Sequence, residues 1–86
     1  MTAVAVMLTS ADSTFPTELT LTENISSRGG RVVTRSLWRA NDSLVIKSLE
    51  GDLHSEARVI YRQAIREEVY AIGMELIAPH GNWRGK

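Results

Sequence analysis

The stretch Leu53–Ile77, LHSEARVIYRQAIREEVYAIGMELI, decides the fold, because it can be read with two periods. With a period of two, Leu53, Ala57, Val59 and Tyr61 share one face of a strand, and His54, Glu56, Arg58 and Arg62 share the other. With a helical period, Ala57, Tyr61 and Ala64 line up, and the Glu, Ala and Arg content favours a helix over Ser55–Glu68. Val59 and Tyr61 fit a pleated surface better than a helix. The alternation also resumes in Val69–Ile77, with Tyr70, Ile72, Met74 and Leu76 on one side. Gly73 would weaken a helix there, whereas in a strand it suits a bulge or a close backbone approach. Strands are therefore the favoured reading, with the helix as its competitor.

Working outward, the rest of the chain repeats the strand pattern. Gly51-Asp52 is a tight reversal that joins Ser43–Glu50 to this region as a hairpin. Asn41 and Asp42, within Trp38–Ser43, favour a turn. Arg31–Thr34 is a short β-branched strand, and Gly29 and Gly30 break the pattern before it. Thr17–Asn24 alternates strictly, Leu19 and Leu21 on one face and Thr20 and Thr22 on the other, as a half-buried strand does. Thr9–Pro16 is rich in turn formers, and Ala3–Thr9 reads as the first strand. The sum is all-β: a small antiparallel barrel or sandwich of about six short strands, in one domain with a core over residues 3–78. The tail 79–86 ends the fold, with Trp83 folding back as a plug and Gly85 and Lys86 fraying.

Composition narrows the function. The chain has 86 residues, with ten basic and ten acidic side chains. That balance, with few aromatic residues, argues against a nucleic-acid binder. Cysteine is absent, which removes disulfides and thiolate metal sites, and His54 and His80 lack ligand spacing. Ala3–Leu8 is too short to span a bilayer and has no basic segment before it, so a cytoplasmic domain is expected. No phosphate-loop lysine follows the glycines, and no Ser-His-acid set has an arguable geometry, so an enzyme is not expected. Trp38 and Trp83 read as core or rim packing.

Thr22–Val33, TENISSRGGRVV, carries the remaining chemistry. Asn24 and Ser26 are short hydrogen-bonding side chains. Gly29 admits close backbone approach or positive φ. Arg28, Arg31 and Arg35 can grip phosphate bidentately and stack on a base. If Arg31–Arg35 is a strand, Arg31 and Arg35 share a face. An ordinary glycine turn accounts for the same residues without a ligand.

Asn24-x-Ser26-x-x-Gly29 matches every fixed position of the [Asp/Asn]-x-Ser-x-x-Gly motif of the PilZ domain, and the strand order with Ile72-Gly73-Met74-Glu75-Leu76 in the closing hairpin is similar too. The chain thus resembles the PilZ domain, a bacterial receptor module for the second messenger cyclic diguanylate (c-di-GMP), over roughly Ala3–Ala78. The resemblance implies a six-stranded β-barrel, no enzymatic activity, no cofactor and no metal. It implies c-di-GMP as a regulatory ligand on Asn24, Ser26 and Gly29, and a protein partner or neighbouring domain that senses it. The family's other motif, Arg-x-x-x-Arg ahead of the first strand, is not matched: no arginine precedes Arg28. Binding is then weakened or lost unless Arg28, Arg31 and Arg35 replace that pair. The alternative is a ligand-free module for protein contacts, in which an exposed edge such as the first strand pairs with a partner.

Overall fold

The computed structural model describes residues 3–84, and its secondary structure is entirely β. The strands are β1 (Ala5–Ser10), β2 (Glu18–Ile25), β3 (Gly29–Thr34), β4 (Ser43–Ser48), β5 (His54–Arg66) and β6 (Val69–His80). Leu53–Ile77 is thus a hairpin, and the helical reading fails. The period-two burial of Leu53, Ser55, Ala57 and Val59, each buried between exposed neighbours, gives the reason. All pairings are antiparallel, and the order β1-β2-β3-β6-β5-β4 closes on itself because β1 pairs with both β2 and β4. The first strand is therefore not an edge.

Val6, Leu8, Val32, Leu44, Ile46, Val59 and Ile72 fill the interior, and Trp38 and Trp83 join the same cluster. Phe15 packs edge-on against Trp38, with ring centroids 4.8 Å apart. On β2 it is the threonine face that turns inward: Thr22 is buried, whereas Leu19 and Leu21 are 63% and 53% exposed. The Thr22 hydroxyl accepts the Val4 N–H at 2.8 Å, so its polar atom is satisfied inside.

Three expectations shift at element ends. Gly29 and Gly30 lie within β3, opposite Glu75 and Met74, and the turn is Ser27-Arg28. β6 runs on to His80, through a bulge at which Ala78 adopts φ 50°. Tyr61 leaves the core face, because a bulge between Val59 and Tyr61 inserts Ile60 and changes the alternation.

The tail behaves as a plug. Trp83 is buried against the core and its indole N–H donates to the Ser26 carbonyl at 2.8 Å. Asn82 holds it there: its carbonyl accepts from the Leu53 N–H at 3.0 Å and its N–H donates to the Asp52 carboxylate at 2.9 Å. Gly85 and Lys86, expected to fray, lie outside the described residues, as do Met1 and Thr2.

Candidate functional site

β2 and β3 meet at a two-residue turn. The Ser26 N–H donates to the Gly29 carbonyl at 2.8 Å, which leaves Ser27 and Arg28 at the tip. Ser26 also braces the turn from within, since its hydroxyl accepts the Arg28 N–H at 3.3 Å. The Arg28 carbonyl accepts the Leu76 N–H at 2.8 Å, which ties the tip to β6. The arginine side chain is thus carried on a fixed backbone and extends into solvent.

A bulge precedes this turn. Thr22 faces Val32 and Asn24 faces Arg31, so Glu23 is the extra residue of β2. The bulge aims Glu23 at Arg31, whose Nε donates to the carboxylate at 2.6 Å. Arg31 Nη1 donates to the Tyr61 hydroxyl at 3.2 Å, and the guanidinium lies 5.8 Å from the centroid of that ring. The Glu23 hydrogen bond first, and the Tyr61 one second, raise the pKa of Arg31 above its ordinary value. Arg31 is therefore a fixed cation with part of its donor fork already engaged.

Tyr61 owes its position to Gly73, its register partner on β6. A Cβ on Gly73 would fall 2.1 Å from the ring, so the phenol lies directly over the glycine backbone. This is the close approach expected of Gly73. Gly29 has a related role: its missing Cβ leaves room for the Met74 carbonyl, 2.1 Å from where that carbon would sit. Gly29 adopts no positive φ; it lets β3 and β6 run close together.

The outcome is a shallow, open depression of about 380 Å³. Asn24, Ser26, Arg28, Gly29 and Arg31 line it, facing Tyr61, Gly73 and Glu75 from the other hairpin. Five of the six expected site residues are thus brought together. Arg35 is not among them. β3 ends at Thr34, and the Arg35 N–H is held by Glu18 at 2.9 Å, at the other end of the strand. Arg31 and Arg35 therefore do not form the expected pair on one strand face.

Tyr61 and Glu75 were not legible as site residues. Period-two reading places Tyr61 on the face of Val59, and the bulge that moves it off that face leaves no mark in the sequence. Glu75 is exposed and paired with Arg58 at 2.8 Å.

A larger depression, about 580 Å³, lies at the end of the barrel where β1 and β3 finish. Its charged groups are mostly engaged within the chain. Asp12 accepts from Ser10 and Thr14, Asp42 accepts the Arg39 N–H, and Arg62 donates to the Trp38 carbonyl. In the first depression, no carboxylate among the described residues lies within ion-pair distance of Arg28. No family model, curated protein or solved structure matches this chain.

Proposed function

We propose that the chain is a PilZ-like receptor module for c-di-GMP, with the ligand seated on the Asn24–Arg31 turn. The convergence of Asn24, Ser26, Arg28 and Arg31 beside the Tyr61 ring carries this reading. The ligand offers phosphate oxygens, guanine acceptors at N7 and O6, guanine donors, and flat bases. Each has a counterpart here. The unpaired Arg28 guanidinium suits a phosphate. The Asn24 amide suits the N7 and O6 edge, and the Glu75 carboxylate suits the guanine donors. The exposed part of the Tyr61 ring suits stacking. The module is an effector rather than an enzyme: binding acts on whatever arrangement of the chain or its partner the ligand prefers.

The depression is open, and Arg31 spends two donors on Glu23 and Tyr61. Arg28 therefore supplies the main phosphate contact, and the affinity is expected to be modest. Calorimetric titration with c-di-GMP should give saturable binding. Arg28→Glu should weaken it by about tenfold or more, as loss of a charge-assisted hydrogen bond implies. Arg35→Glu should leave it unchanged, since that residue lies away from the depression. No heat at millimolar ligand, or equal affinity in the Arg28 variant, would overturn the proposal.

A further inference from the structure

The two histidines, far apart in the sequence, are set opposite each other by the fold. His54 opens β5, His80 closes β6, and the two are direct register partners. Leu53 and Ser55, on either side of His54, are buried, so alternation sends His54 outward. Both histidines are exposed. Directly opposed residues of an antiparallel pair project to one face, with Cβ atoms about 4.5–5.5 Å apart.

A strained bulge makes this pairing. Glu56 faces Ile77, and regular pairing from there would set Pro79 opposite His54. One extra residue in β6 advances the register, so that His80 takes that place. Within the bulge Ala78 adopts φ 50°, a left-handed conformation that disfavours any residue with a Cβ. The backbone beside both histidines is pinned as well. The Leu53 N–H donates to the Asn82 carbonyl at 3.0 Å, and the Asn82 N–H donates to the Asp52 carboxylate at 2.9 Å.

Two imidazoles at this spacing suit one chemistry. Two nitrogen ligands of a tetrahedral zinc ion lie roughly 3.3 Å apart, given bonds of about 2.0–2.1 Å. Rings whose Cβ atoms are about 5 Å apart can converge to that separation. Imidazole selects zinc, copper and nickel, whereas magnesium and calcium take oxygen ligands. No third histidine or carboxylate among the described residues joins the pair, so the other positions fall to water and the ion is exchangeable. Lys47 faces His54 from β4, but it is exposed and its flexible stem can carry the ammonium away.

We propose that His54 and His80 form a two-imidazole site for a divalent transition metal ion of the zinc, copper and nickel class, which clips the end of β6 to β5. The clip lies beside Asn82, which anchors the Trp83 plug, so a bound ion stabilises the closed barrel by mass action. This inference stands apart from ligand binding, because neither histidine lines either depression.

The test uses the whole chain without an affinity tag, labelled with nitrogen-15 and titrated with zinc chloride at mildly alkaline pH. The His54 and His80 signals should shift together and saturate at one ion per chain. At about tenfold excess over Kd, zinc should raise Tm by roughly 5–10 °C. Magnesium should leave both readings unchanged. His54→Ala and His80→Ala, at exposed positions, should each weaken zinc binding by about tenfold or more, because the second bond forms within a complex already held by the first. Pro79→His combined with His80→Ala keeps two imidazoles in the chain but moves one off the register, and should weaken zinc binding as much. The remaining signals check the fold of each variant. No shift at millimolar zinc, unchanged affinity in either alanine variant, or unchanged affinity in the off-register variant overturns the proposal.

Discussion

At the scale of single residues, the candidate site is shaped by what Gly29 and Gly73 leave out. The two make different demands. A methyl group on Gly29 would meet the Met74 carbonyl, which is backbone and cannot swing aside. Gly29→Ala should therefore destabilise the barrel by about 1–3 kcal/mol, the usual range for overpacking, read as a lower urea midpoint at unchanged slope. The atoms nearest a methyl group on Gly73 would be those of the Tyr61 ring, an exposed side chain free to move. Gly73→Ala should cost less stability but displace Tyr61 from Arg31, visible as altered tyrosine ring signals in an NMR spectrum. The candidate residues Asn24, Ser26 and Gly29 could be singled out in the sequence by their spacing, which straddles the turn between β2 and β3. Arg35 was misplaced because nothing in Arg31–Arg35 announces that the strand ends at Thr34, where the threonine hydroxyl turns to Glu18 at 2.6 Å.

At the scale of elements, strands were readable and their faces were not. Strict alternation in β2 separates leucines from threonines but does not say which side is inward. Thr22 takes the core because it satisfies the Val4 N–H there, and the leucines are left outside. In β5 a single bulge at Ile60 is enough to move Tyr61 off the face that it shares with Val59 on paper. The turn that joins β5 to β6 carries a stored conformational cost, since Glu68 sits at φ 62°, a region that disfavours residues with a Cβ. Glu68→Gly should raise stability by about 0.5–1 kcal/mol, after allowing for the greater freedom of glycine in the unfolded chain, and so raise Tm by a few degrees. The β1–β2 loop has its own pH signature. Hydrogen bonds from the Thr14 side chain first, and from Ser10, hold the Asp12 carboxyl down at about 2, from an ordinary 3.8. The unfolded chain thus takes up this proton more readily than the folded one. The contribution of Asp12 is complete above about pH 4 and is lost as pH falls towards 2. Urea midpoints measured across that window should fall less steeply in Asp12→Asn than in the parent chain.

For the whole molecule, closure depends on parts that are far apart in sequence. Trp83 completes the core from the tail and bonds to Ser26 beneath the candidate site. Trp83→Ala should cost about 3–5 kcal/mol. That is a large share of the 5–15 kcal/mol that typically holds a domain folded, so the variant should melt far lower, as circular dichroism would record. An all-β fold of about six short strands was legible from the sequence, but the pattern alone left barrel and sandwich both open. The strand order was not legible, because period and turn chemistry report on neighbours in sequence, whereas β6 pairs with β3 across the whole of β4 and β5. That insertion bears on how the chain is made. Of the six strands β6 is the last to leave the ribosome, yet its place is between β3 and β5. Before it emerges, the earlier strands can form at most an open sheet in the order β3-β2-β1-β4-β5, with two bare edges and a half-covered interior. Closure of the barrel is thus tied to the synthesis of β6, and the nascent strands are most exposed to chaperones, proteases and aggregation in the interval before β6 is complete.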